Sequence, residues 1–315
     1  MIASRREEAA FLFDAGGEQL VGIVTTPAAG PDDATPSARL GVLIVVGGPQ
    51  YRVGSHRQFV LLARALAARG YAVMRFDCAG MGDSSGAERP FTDRGNDIAA
   101  AIDAFVAQVP TIAEVAIWGL CDAASAALMY APDDPRVTRL VLLNPWVRSD
   151  AGLARTHLKH YYGSRLTDRA FWGSLLRGRV GVLRALKDFV STMIAARRPV
   201  AGPDDGLDFQ ARMARGWKRF GGDILLICSG ADLTAREFID HAATDAAWSG
   251  AVDGARVARC TLADADHTFS RAEWRDRVAE VTADWLDERG APAETASSGN
   301  DAGAARKEAP MKAGA

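Results

Sequence analysis

Apolar positions along this chain fall into short unbroken runs separated by stretches with helical spacing. Leu40 to Val46 (L-G-V-L-I-V-V) is one such run. With no polar alternation, it predicts a strand buried on both faces. Tyr71 to Phe76, Val115 to Trp118 and Val137 to Leu143 read the same way. Between them lie three helical patterns: His56 to Arg69 ending at Gly70, Gly95 to Gln108, and the alanine-rich Cys121 to Tyr130. Gly70 suits a helix C-terminus. Strands alternating with helices predict a parallel sheet covered on both sides. Ahead of them, residues 10–26 read as a hairpin about Gly16-Gly17, and 27–38 as a Pro/Gly/Ala/Asp loop. The alternation resumes late, with a strand Asp223 to Ser229, a helix near Ala235 to Trp248, a strand Arg256 to Leu262 and a last helix Arg271 to Arg289.

The pattern breaks over 146–220, where helical segments carry aromatics and many arginines and no strand signal. The simplest organisation is a core of residues 1–145 and 221–290, with 146–220 inserted as a helical cap over the C-terminal edge of the sheet. Residues 291–315 hold almost nothing to bury and read as a disordered tail.

Charge sharpens the reading of the cap. Between Arg148 and Arg219 there are 15 basic and 6 acidic residues, in a chain whose net charge is −2. One reading is a solvated helical surface with its aromatics in a small core. The sharper expectation is a basic lid, with Arg177, Arg179 and Arg184 prominent, that concentrates an anionic or membrane-surface substrate. The chain as a whole has no nucleic-acid signature. No apolar run approaches the roughly 18 residues of a membrane span, and Met1 to Glu8 lack the apolar stretch of a signal peptide. A cytoplasmic location is the default expectation, with peripheral membrane contact open. With 48% hydrophobic residues the chain can bury a sizeable core. Its four cysteines contain no C-x-x-C pair, so free thiols are expected, with no metal site and no cofactor.

The segment Gly119-Leu120-Cys121-Asp122-Ala123, between a buried strand and a helix, carries the chemistry. A residue there is forced into a tight turn, with small neighbours two positions either side so that strand and helix can approach. The pattern is G-x-C-x-A, where G-x-S-x-G is usual. Ala123 costs one methyl of clearance, and cysteine keeps a nucleophile while making it softer. A helix N-terminus favours the thiolate, and the N–H of Asp122 points where an oxyanion would sit. A free cysteine is commonly a core residue, and Cys78, Cys228 and Cys260 are read that way. Ser125 is an alternative nucleophile, but it lies a turn into the helix.

An acid and then a histidine follow such a nucleophile in chain order, each after a late strand. Gly230-Ala231-Asp232 follows one, and Asp266-His267-Thr268-Phe269 the other. His267 would take the proton of Cys121, and Asp232 would orient His267. Asp264 and Asp266 are alternatives too near His267 in sequence to brace it easily. A lone histidine is usually a surface or satisfied residue, which suits His157, His160 and His241, with His56, beside the first loop, left open. The loop Gly47-Gly48-Pro49-Gln50 should give a second oxyanion N–H. Pro49 has none, so Gly48 is the expected donor and Gln50 the next, also lining the substrate site. The glycines of Asp77-Cys78-Ala79-Gly80-Met81-Gly82-Asp83-Ser84 do not fit a phosphate loop and read as a tight structural turn.

The elbow, G-G-P-Q-Y-R-V-G-S-H-R-Q-F from Gly47, D-x-x-G-M-G-D-S from Asp77, S-G-x-D-L-T-x-R-E-F from Ser229 and D-H-T-F from Asp266 together resemble the exosortase A system-associated hydrolases, type 1. These belong to the α/β-hydrolase superfamily, and the resemblance spans roughly residues 10–288. It implies an α/β-hydrolase fold, a mostly parallel doubly wound sheet with an inserted helical cap. It also implies a bacterial setting alongside exopolysaccharide synthesis and protein sorting, without specifying a reaction. The cysteine elbow is similar to that of dienelactone hydrolases, which use a Cys-Asp-His triad. The leading expectation is hydrolysis of an ester or thioester, with a glycan, carrier or small acyl compound as substrate. Acyl transfer to a sugar hydroxyl and a non-catalytic scaffold are the competing readings, the latter opposed by the intact set of Cys121, Asp232 and His267.

Overall fold

The computed structural model describes residues 7–27, 39–48, 50–148 and 207–290. Eight strands form one sheet in the order β1-β2-β4-β3-β5-β6-β7-β8. They are β1 (Glu7–Ala15), β2 (Glu18–Thr26), β3 (Leu40–Val45), β4 (Ala72–Phe76), β5 (Glu114–Leu120), β6 (Val137–Leu143), β7 (Asp223–Ser229) and β8 (Val257–Leu262). The first two pairings, β1 with β2 and β2 with β4, are antiparallel, and all the others are parallel. The two-residue turn at Gly16 and Gly17, both with positive φ, closes the hairpin as the right-handed twist of its strands requires. Every residue of β3 and β4 is buried, as two-sided helical cover demands.

Among the described residues, six helices flank the sheet: α1 (Gln58–Ala68), α2 (Gly95–Gln108), α3 (Asp122–Tyr130), α4 (Phe209–Arg219), α5 (Leu233–Thr244) and α6 (Ala272–Gly290). Helix α1 packs against α6, while α3 lies between α2 and α4. Because β3 sits between β4 and β5, the chain reverses its direction of winding there. The loops after β3 and β5 therefore open a crevice at the C-terminal edge, the usual position of a site in such sheets.

Two expectations shift. The helix expected from His56 begins in regular form only at Gln58, because His56 and Arg57 both adopt positive φ, 41° and 62°. The segment expected to be inserted up to residue 220 rejoins the main body earlier. Helix α4 buries Met213, Ala214 and Trp217 in the central core. A Cβ at Gly216 would lie 2.2 Å from the carbonyl oxygen of Leu128, which shows how closely α4 meets α3. Trp217, Phe238 and Trp248 cluster with centroids 5.3 to 6.3 Å apart, Trp248 edge-on to both others and Trp217 tilted against Phe238. The basic residues Lys218 and Arg219 stay exposed at its far end. Residues 149–206, with Arg177, Arg179 and Arg184, lie outside the described residues, as do 291–315. No helix among the described residues is long and apolar enough to cross a membrane.

Candidate active site

Strand β5 ends at Leu120 and α3 begins at Asp122, leaving Cys121 alone in the turn with φ 63° and ψ −125°. A side-chain-bearing residue there is strained, and such strain persists only where the surroundings impose it. They do so through several bonds. The Cys121 N–H donates to Leu143 O at 2.9 Å, and its carbonyl accepts from Ala124 at 3.1 Å, Ser125 at 3.3 Å and Trp146 at 3.3 Å. A Cβ at Gly119 would lie 2.8 Å from Ala123 C and Ala124 N, so that position must be glycine. Cys121 is half-buried, whereas burial pushes the thiol of Cys78 up to about 12 and that of Cys228 up to about 11. Burial also raises that of Cys260. Ser125 is buried, and its hydroxyl donates to Trp146 O at 2.7 Å.

The loops after β7 and β8 bring Asp232 and His267 together, with His267 Nδ1 2.8 Å from Asp232 Oδ2. Asp232 also caps α5, accepting from Thr234 N at 3.2 Å and Ala235 N at 3.1 Å. Burial alone would raise its pKa, but these bonds and His267 together hold it below the ordinary carboxylate value. His267 moves the other way, from 6.5 up to about 10, through its bond to Asp232 and then its bond to the Cys121 side chain, against partial burial. Asp266 is not a competing brace. Its carboxylate accepts from Thr268 N, Ser270 N and the Ser270 hydroxyl, and so folds its own loop. Behind that loop, buried Asn144 and Ser229 form a polar node that the sequence reading missed. Asn144 Nδ2 donates to Ser229 Oγ at 2.9 Å and to His267 O at 3.1 Å, and Ser229 Oγ donates to Asp266 O at 2.9 Å.

The loop after β3 requires a correction. Gly48 is the expected oxyanion donor, but its single N–H donates to Asp122 Oδ1 at 2.8 Å. An N–H so directed is not aimed at a reacting oxygen. Gln50 is the next residue of the loop with an N–H. Its side-chain Oε1 accepts from Ser55 N at 3.1 Å, which holds the side chain within the loop. Asp122 N–H lies in the first turn of α3, where a backbone donor has no intrahelical acceptor. The loop is further tied to the glycine-rich turn after β4. Asp77, fully buried, accepts from the backbone and side chain of Arg52 and from Asp83 N. A carboxylate of the chain itself therefore fills that turn. His56 reaches the other loop, with Nε2 3.3 Å from Thr268 O. Among the described residues, no group of three or more His, Cys, Asp or Glu side chains is placed to hold a metal.

The Alpha/beta hydrolase family matches residues 42–281 of the chain. No curated protein sequence matches it. Among solved structures, the Pyrococcus furiosus esterase is 14% identical with a TM-score of 0.59, over 91% of this chain and 92% of that one. Est1E from Butyrivibrio proteoclasticus, solved with ferulic acid bound, is 14% identical with a TM-score of 0.56, over 89% and 98%. A Xanthomonas campestris a/b serine hydrolase described as having no lid is 17% identical with a TM-score of 0.54, over 90% and 95%. At these identities the likeness is one of fold.

Proposed function

The chain belongs to the Alpha/beta hydrolase family, and from that premise we propose that it cleaves an ester or thioester through an acyl-cysteine formed on Cys121. The observation that carries this reading is the series Asp232, His267, Cys121, with the 2.8 Å Asp232–His267 contact at one end and the strained elbow at the other. His267, its pKa raised to about 10 beside Asp232 and Cys121, holds the proton given up by the Cys121 thiol. In the first half-reaction the Cys121 sulfur attacks the acyl carbon, and negative charge moves to the carbonyl oxygen. Asp122 N–H and Gln50 N–H receive that charge. The tetrahedral species collapses as the leaving oxygen or sulfur departs with the proton of His267. In the second, neutral His267 takes a proton from water, the hydroxide attacks the acyl carbon, and the thiolate leaves, restoring the ion pair. Asp232 fixes the tautomer throughout and remains ionised.

The chain leaves the described core at Arg148, two residues after Trp146, whose N–H bonds the carbonyl of Cys121. The excess of basic residues in the segment that follows, Arg177 and Arg179 among them, favours an anionic acyl donor. The resemblance to exosortase A system-associated hydrolases favours an acylated glycan or carrier. The test is incubation of the full chain with a panel of p-nitrophenyl esters and acyl-coenzyme A thioesters, read by product release and by intact mass. An acyl adduct on Cys121 that is absent in Cys121→Ala supports the reading. Turnover retained by Cys121→Ala overturns it.

A further inference from the structure

We infer that the carboxylate of Asp122, backed by the buried Arg94, is a positioning group that holds the loop after β3 in register with the nucleophile elbow. An acidic residue in the first turn of a helix usually does no more than complement the helix dipole. Here the carboxylate reaches across to a loop 74 residues earlier in the chain, where Oδ1 accepts the Gly48 N–H at 2.8 Å. Its other oxygen lies 3.5 Å from Arg94 Nη1. That same guanidinium nitrogen donates to Val46 O at 3.0 Å. Residues 46–48 are thus pinned at both ends by one ion pair. Arg94 is 3% exposed. A cation so deeply buried needs an anionic partner, so neither member of the pair is free to leave.

Gly47 shows how tightly the two segments meet. A Cβ there would lie 2.2 Å from Asp122 Oδ1 and 2.7 Å from Leu120 O. The loop backbone therefore passes directly over the elbow, with only hydrogen facing it. The carboxylate does not touch the reacting atoms. By occupying Gly48, it removes that N–H from the oxyanion site and fixes the direction in which the chain runs on to Gln50. The side chain of Asp122 and its backbone N–H thus act on the same oxyanion, one through the loop and the other directly. The catalytic half of this inference rests on the acyl-cysteine reading, whereas the clamp itself does not.

The experiment compares wild type, Asp122→Ala, Asp122→Asn and Gly47→Ala as full chains. It reads p-nitrophenyl butyrate kinetics, iodoacetamide alkylation of Cys121, melting temperature, and amide hydrogen exchange of the peptide spanning residues 45–52. Loss of an oxyanion donor typically costs about 10²- to 10³-fold in kcat. Asp122→Ala should lose on that order, with KM within about threefold, as expected for an interaction made only in the transition state. Exchange of the loop peptide should rise at least about tenfold, in keeping with local opening, while alkylation of Cys121 persists. Asp122→Asn keeps an acceptor for Gly48 but leaves Arg94 without its anion, so it should restore only part of the protection and kcat. Gly47→Ala, which drives a methyl onto the carboxylate, should reproduce the alanine phenotype if Asp122→Ala fails to fold. Unchanged loop exchange in Asp122→Ala, or equal loss of alkylation and acylation, overturns the inference. If wild type forms no acyl-enzyme, the hydrolase reading falls and the exchange data still decide the clamp.

Discussion

The side-chain amide of Asn144 donates a 3.1 Å hydrogen bond to the carbonyl oxygen of His267, tying the end of β6 to the loop after β8. Its oxygen accepts the N–H of Ser229 at 2.8 Å, so the bond also spans the strand between them. Asn144 itself has φ 43°, a conformation that asparagine tolerates better than most residues. Replacing it by alanine would orphan the Ser229 N–H and weaken the anchoring of His267. Each buried group left unpaired costs about 1–3 kcal/mol. Urea denaturation of Asn144→Ala should show a loss of that order, together with a lower kcat. Unchanged stability would mean that water replaces the amide.

Iodoacetamide should alkylate Cys121 before the other thiols. The ordering follows from burial, which raises Cys78, Cys228 and Cys260 and closes the first two to solvent. Peptide mapping after partial labelling measures it. Early labelling of Cys260, the other half-buried thiol, would contradict it.

Cys121→Ala and His267→Ala should each lose several orders of magnitude in kcat, and the double variant should lose little more, because members of one catalytic unit are not additive. Multiplying losses would show independent roles. Asp232→Asn should fold with α5 still capped, since asparagine is an equally good cap, yet be strongly impaired because it no longer fixes the imidazole.

Much of this was legible before any coordinates. The buried runs around Leu43, Ile117 and Leu140 are strands because nothing polar interrupts them, and their order of winding put Cys121, Asp232 and His267 on one edge. Other features depend on partners remote in the chain. That Gly48 spends its N–H on Asp122, or that Arg94 is buried at all, appears only once β3 and β5 are neighbours. Trp217 reads as one more aromatic in an arginine-rich stretch until Phe238 and Trp248 meet it. The left-handed pair at His56 and Arg57 has no local signal either, since neither residue favours that conformation.

The raised pKa of His267 makes a signed prediction about stability. A group raised from 6.5 to about 10 on folding contributes fully below pH 6.5 and loses its contribution as pH climbs through 10. The stability gap between wild type and His267→Gln should therefore be widest near pH 6 and close by about pH 10.5. Chemical denaturation across that range measures it. A gap that widens with pH would contradict the imidazolium assignment.

If the arginine-rich segment faces substrate, kcat/KM for an anionic acyl donor should fall as ionic strength rises. Charge reversal at Arg177, Arg179 and Arg184 should flatten that slope. A salt-independent rate untouched by those changes would leave the segment a packing element.

The left-handed backbone of Cys121 also sets this position against thermal selection. Only glycine adopts φ 63° without penalty, and strained residues of this kind cost about 1–3 kcal/mol. A library screened for heat resistance alone would thus be rewarded for Cys121→Gly, trading the thiol for a relaxed turn. The residue that makes the crevice reactive is among those the fold would most readily discard.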